Sequence, residues 1–318
     1  MNRRRFLQTA AWSAAGVAGY QALWGCAAEA RSRVVVVRGL GGAAEASPSR
    51  VQEAVQAAVQ RLTGRRDGWK RLFRPDEVVG IKVNCVCEAL PTHLVVVQAL
   101  IAGLRTAGVK ENRILIFDRR DQDLALHGGF TLHRGRRGVR CFGCKDGLGS
   151  GQEFQGFERE GRRFDLTSLL TEVCTALVNV PVLKDHSMTG VTLSLKNHFG
   201  SLRDALRHHG PTLQCDPQIA QLNSLPPIRE KTRLIVLDAL TGMYDGGPFG
   251  PGRQWDCGQI LVSADPVALD TVGWSLLNAR REAGKLPPIP FPAHLRTAGR
   301  SPYHLGVNDL QRIEVVEV

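Results

Sequence analysis

Ala176-Leu177-Val178-Asn179-Val180-Pro181-Val182-Leu183-Lys184-Asp185-His186 is an apolar run that stops abruptly at a cation, a carboxylate and an imidazole. Such a run, short and rich in Val, reads as a buried strand over Ala176 to Leu183, with polar side chains at its carboxyl end. The same pattern recurs along the chain. Val78 to Val83 carries Lys82 near its end and Asn84 just beyond, Arg113 to Phe117 is followed by Asp118, and Arg233 to Leu237 by Asp238. Val34 to Val37, Gln259 to Val262 and Ile313 to Val316 complete the set.

Helices are expected between these runs. Val51, Ala54, Val55, Ala58 and Leu62 fall at helical spacing within Arg50 to Leu62, and Leu94 to Thr106 shows the same period before Gly108. Asp265-Pro266 opens a further helix, Asp as the N-cap and Pro at the first helical position. Strands alternating with helices give an α/β class, a mostly parallel sheet flanked by helices. Residues 127–165, rich in Gly and Arg, and 197–230, with His208, His209, Pro211, Pro226 and Pro227, break the period and read as long functional loops or a small inserted lobe. Leu286 to Pro292 reads as an extended connector to the last strand.

A parallel sheet brings the carboxyl ends of its strands to one edge, where open α/β sheets take their ligands. That edge would gather Lys82, Asn84, Asp118, Lys184, Asp185, His186 and Asp238. Leu193-Ser194-Leu195-Lys196-Asn197-His198-Phe199-Gly200 adds two more cationic or imidazole groups and an amide. Lys184 and Lys196 suit an anionic small molecule, with His186 moving a proton, while Lys82, Asn84, Asp118, Asn197 and Asp238 bind or orient it. His198 and Phe199 also read as packing residues at a helix start. His208, His209 and Cys215, together with His198, form a second set with imidazole and thiolate donors for a metal ion. Cys141-Phe142-Gly143-Cys144 and Cys85-Val86-Cys87 could contribute to an iron–sulfur cluster, but the two pairs differ in form and lie far apart. Gly246 to Gly252 reads as a mobile rim rather than a nucleotide loop, and no G-x-S-x-G or H-E-x-x-H occurs.

The first thirty residues add a destination. Arg3-Arg4-Arg5-Phe6-Leu7 resembles a twin-arginine export signal, and Phe6 to Ala28 carries no charged side chain. Ala28-Glu29-Ala30 fits a signal-peptidase site with Arg31 as the new start. Lipidation at Cys26 and retention of the segment are the alternatives. The expectation is a signal over 1–30 and one α/β domain over 31–318, exported folded by the twin-arginine translocase to the periplasm. Membrane contact would then be transient, or made through an uncleaved signal or a lipidated Cys26. The charge of +11 suggests anionic partners, and export excludes nucleic acid from them. Seven cysteines lie beyond residue 30, an odd number that cannot all pair internally.

Gly80-Ile81-Lys82-Val83-Asn84, Asn179 to His186, Thr192 to Gly200, Asp238-Ala239-Leu240 leading to Gly246-Gly247-Pro248, and Ser263 to Asp270 together resemble the domain-of-unknown-function 362 family. The resemblance covers most of the chain beyond the signal and points to its exported members. It implies no reaction, since the family is named for lacking one. Some relatives carry ferredoxin-like cluster domains, which implies redox or metal association, and the alternative function is a metal- or iron–sulfur-associated redox or maturation protein. Cys141 to Cys144 is not a ferredoxin ligand run.

Overall fold

A computed structural model describes residues 32–146, 153–210 and 214–318, so the expected signal over 1–30, Cys26 included, lies outside the described residues. Its frame is a mixed, largely parallel sheet with helices on both faces. The strands are β1 (Ser32–Val37), β2 (Val79–Lys82), β3 (Ile114–Phe117), β4 (Arg140–Cys141), β7 (Ala176–Asn179), β8 (Val182–His186), β9 (Gly190–Thr192), β10 (Thr232–Asp245), β11 (Arg253–Ser263) and β12 (Ile313–Glu317). Strands β5 (Phe154–Arg159) and β6 (Arg162–Thr167) form a separate antiparallel hairpin. The main order is β12-β1-β11-β10-β7-β2-β3-β4, with β8 beside β10 and β9 beside β8. The run β10-β7-β2-β3-β4 is parallel throughout, so its carboxyl ends do share an edge.

Alternation along the strands divides the core between the two faces. Val79 and Ile81, with Ile114 and Ile116, join one apolar cluster, whereas Leu115, Phe117 and Leu177 join another. Helices α1 (Pro48–Thr63), α2 (Gly68–Leu72) and α3 (Leu94–Thr106) cover the first face. Helix α1 runs two residues earlier than its apolar period because Ser47 caps it, accepting from the Arg50 amide, while Pro48 needs no amide donor. The other face carries the short α4 (Ser194–Asn197), α5 (Gln218–Asn223) and α6 (Pro226–Arg229), then the long α7 (Pro266–Ala283) and α8 (Ala293–Ala298). Asp265 caps α7 as its sequence requires, with one carboxylate oxygen accepting from the amides of Val267 and Ala268.

Four expectations are revised. The run Ala176 to Leu183 is not one strand but β7 and β8, broken at Val180-Pro181. Pro181 has no amide to give a ladder, yet its carbonyl still accepts from the Asp238 amide. Lys184, Asp185 and His186 accordingly lie within β8 rather than beyond a strand end. Asp238 likewise stands inside the long β10, opposite Val182. Gln259 to Val262 belongs to β11, which runs antiparallel to β1 and β10. The proline-rich connector leads into α8 before the last strand. It is pinned midway, where the Ile289 carbonyl accepts from Trp274 Nε1 and Asn278 Nδ2. Residues 127–165 supply β4 and the β5–β6 hairpin, and 197–230 a series of short helical turns.

Candidate functional site

The edge residues do converge, but most are spent on one another. Lys82 Nζ donates to Asp118 Oδ1 at 2.6 Å, to the Val83 carbonyl at 2.7 Å and to Asn197 Oδ1 at 3.3 Å. Both charged groups are 1 % exposed. The second Asp118 oxygen accepts from the Cys85 amide at 2.6 Å. Asn197 in turn accepts from Asn84 Nδ2 and donates to Asn179 Oδ1, at 3.0 and 2.7 Å. Gly200 closes over this pair: a Cβ there would stand 2.7 Å from Asp118 Oδ1 and 2.9 Å from Lys82 Nζ, which leaves no room for a side chain. A paired, hydrogen-bonded buried cation of this kind locks strands together and offers no charge to a ligand.

Lys184 belongs to the same interior network. Its Nζ donates to Asn84 Oδ1 at 2.7 Å and to the Leu90 carbonyl at 2.9 Å, and burial holds its pKa below the usual lysine range. Asp185, on the opposite face of β8, accepts from the Gly247 amide at 2.9 Å and ties down the glycine-rich loop. Asp238 is wholly buried and clamps His93, accepting from both its backbone amide and its ring Nδ1 at 2.8 Å. Burial opposes the charged form of His93, but the Asp238 charge and hydrogen bond outweigh it and raise the pKa. His93 carried no motif, since a histidine following Pro91-Thr92 reads as an ordinary helix entry.

Lys196 is different. It is 8 % exposed, and its Nζ makes no hydrogen bond to any described residue. The ammonium lies 4.0 Å from the centre of the Phe199 ring. The groups that bear electrostatically on it are His186, His209, His294 and Cys215, and none is a carboxylate. Burial lowers the Lys196 pKa, against a smaller opposing effect of Cys215. Burial, then Lys196, depresses His186 and His294 to about 3 and lowers His209 as well, so these imidazoles are neutral near pH 7.

Each group reaches the cluster from a different element. His186 ends β8 and shares the Lys184 face of that strand. Its Nδ1 accepts from the amides of Met188 and Thr189 at 3.1 and 3.3 Å. His209 donates from Nδ1 to the Ala205 carbonyl at 3.0 Å and meets Phe199 edge-on, ring centres 5.7 Å apart. His294, in the first turn of α8, is 1 % exposed with neither ring nitrogen hydrogen-bonded. Its sequence signal was a single histidine after a proline-rich stretch, far in the chain from Lys196. Lys196 itself is aimed by Asp270 of α7, whose two oxygens accept from the amides of Ser194 and Leu195 at 2.8 and 3.0 Å. Burial lifts the Asp270 pKa to about 7 despite those bonds.

The metal set is dispersed. His198 is buried, its Nε2 3.3 Å from Asn179 Nδ2, beside a cavity of about 20 Å³ with room for one water. His208 stacks on Phe164, ring centres 4.6 Å apart, whereas His209 and Cys215 accompany Lys196. Among the described residues no three His, Cys, Asp or Glu side chains are grouped to hold a metal ion. Cys141 and Cys144 are buried thiols, pushed by burial to about 12, which disfavours the thiolate that a metal or cluster requires. These residues do not fit a metal ion or an iron–sulfur cluster.

Residues 79–275 match the family model described as Domain of unknown function (DUF362). The match includes Lys82, Asp118, Lys184, Lys196, Asp238 and Asp270, and stops before His294. A protein from Thermotoga maritima with a known crystal structure is similar at a TM-score of 0.35 and 12% identity, over 60% of this chain and 50% of that one. The chain thus spans about half the length of that protein. No curated protein matches it.

Proposed function

The chain belongs to the DUF362 family, and within that family of unassigned activity we propose that it binds a small anionic molecule on Lys196, with His186, His209 and His294 around the ligand. One observation carries this reading. Lys196 is a largely buried cation that meets neither a carboxylate nor a hydrogen-bond acceptor among the described residues, beside a buried histidine whose two ring nitrogens are both unsatisfied. Natural proteins rarely leave such groups without partners, because desolvation without compensation is costly. An anion supplies both partners at once. The Lys82 and Lys184 ammonium groups are already satisfied inside the protein and have no charge to spare for it.

We propose further that residues 1–30, which resemble a twin-arginine signal, send the protein in folded form through the translocase to act in the periplasm. A metal or iron–sulfur role for the cysteines and histidines has no comparable support.

Calorimetric titration of the purified protein with phosphate, oxalate and citrate tests the binding reading. Saturable 1:1 binding of at least one of them, lost in Lys196→Met, is expected. Heats indistinguishable from dilution for every anion, or binding that survives Lys196→Met unchanged, would overturn it.

A further inference from the structure

The hydrogen-bond polarity of the cluster narrows the class of anion. His186 Nδ1 accepts two backbone amides, so the proton of the neutral ring is on Nε2, and this ring offers a donor. His209 is the reverse. Its Nδ1 faces the Ala205 carbonyl, which can only accept, so Nδ1 carries the proton and Nε2 presents a lone pair. Lys196 offers donors alone. His294, open at both nitrogens, adapts to either polarity.

We propose that the anion taken by this cluster carries its own O–H: a hydroxy acid, or a protonated oxyanion such as hydrogen phosphate, rather than a fully deprotonated oxyanion such as sulfate. This rests on the anion-binding reading above and deepens it. The negative oxygens meet Lys196 and His186 Nε2–H, and the ligand hydroxyl donates to His209 Nε2. An oxyanion without a proton sets its own lone pair against that of His209. Sites with a fixed buried hydrogen-bond partner reject analogues lacking the matching group by large factors.

Phosphate and sulfate, near-equal in size and shape, provide the test, titrated separately at pH 7 into the full chain and into His209→Phe. The second variant keeps a ring against Phe199 but has no acceptor. Because it also loses the bond to Ala205, His209→Asn, whose side-chain amide can still donate to that carbonyl, is run beside it, and thermal melts establish that each variant folds. Phosphate should bind wild type at least about a hundredfold more tightly than sulfate, and the ratio should fall toward one in His209→Phe. Sulfate binding as tightly as phosphate, or a preference unchanged in both variants, overturns the inference while leaving anion binding in place. Binding of neither anion, with the hydroxy acid citrate silent as well, overturns this inference, and with oxalate also silent the anion reading falls too.

Discussion

Replacing Lys196 by Met should make the ligand-free protein more stable while abolishing its ligand binding. Lys196 is 8 % exposed and meets no hydrogen-bond acceptor or carboxylate among the described residues, so its charge contributes desolvation cost without a compensating ion pair there. Exchanging buried ionic groups for apolar ones of similar volume is commonly neutral or stabilising, by about 1–4 kcal/mol. The contact of the ammonium with Phe199 at 4.0 Å offsets part of this, about 2 kcal/mol when desolvated. A thioether against the same ring restores about 0.3–1.5 kcal/mol. The net expectation is a gain of about 1–2 kcal/mol, or roughly 2–8 °C in Tm at about 2–4 °C per kcal/mol for a chain of this size. The assay is thermal and urea unfolding in an anion-poor zwitterionic buffer, then with ligand. At a hundredfold excess over Kd the wild type alone should gain about 2.7 kcal/mol, reversing the order of the two proteins. A Lys196→Met protein less stable than wild type without ligand would refute the reasoning, because Lys196 would then be stabilising the fold.

Two further substitutions separate scaffold from site. Lys184→Ala leaves Asn84 Oδ1 and the Leu90 carbonyl without their donor inside the protein, and should destabilise it by about 2–4 kcal/mol in urea unfolding; a stable variant with lost anion affinity would return Lys184 to the binding site. Asp270 has a folded pKa of about 7 against an unfolded value of 3.8, so the native state holds the extra proton between them. Its contribution to stability is therefore fully present below about 3.8 and is lost as pH rises to about 7, roughly 4 kcal/mol over three pH units at about 1.4 kcal/mol each. Asp270→Asn should remove that slope, so that its stability relative to wild type improves steadily from pH 4 to pH 7; a constant difference across this range would contradict the assignment.

Much of the frame was legible because its signals are local. Asp265-Pro266 can do little but start a helix, and alternating runs such as Ile114 to Phe117 can do little but face two cores. The gathering of Lys82, Asn84, Asp118 and Asp238 at one edge followed from strand direction alone. What each lysine does there was not legible, because that depends on partners distant in the chain. Lys82 and Lys184 find Asp118 and Asn84, while Lys196, read as the same kind of charge, finds neither carboxylate nor amide among the described residues. His93 and His294 escaped notice for a related reason: one imidazole in a helix entry has the same sequence signature whether it meets a buried carboxylate or an uncompensated cation. Asp270 was visible only as part of a helix, though its carboxylate sets the turn that carries Lys196.

The most direct test of the central claim is crystallographic. Arsenate has the shape of phosphate, keeps a proton at neutral pH and scatters anomalously, so its position in a soaked crystal can be read without ambiguity. The account predicts an anomalous peak with arsenate oxygens about 3 Å from Lys196 Nζ, bordered by His186, His209 and His294. Arsenate found only elsewhere would contradict it, above all in the shallow groove of about 500 Å³ where Arg105, Lys110, Arg136 and Arg137 gather beyond the amino end of β3.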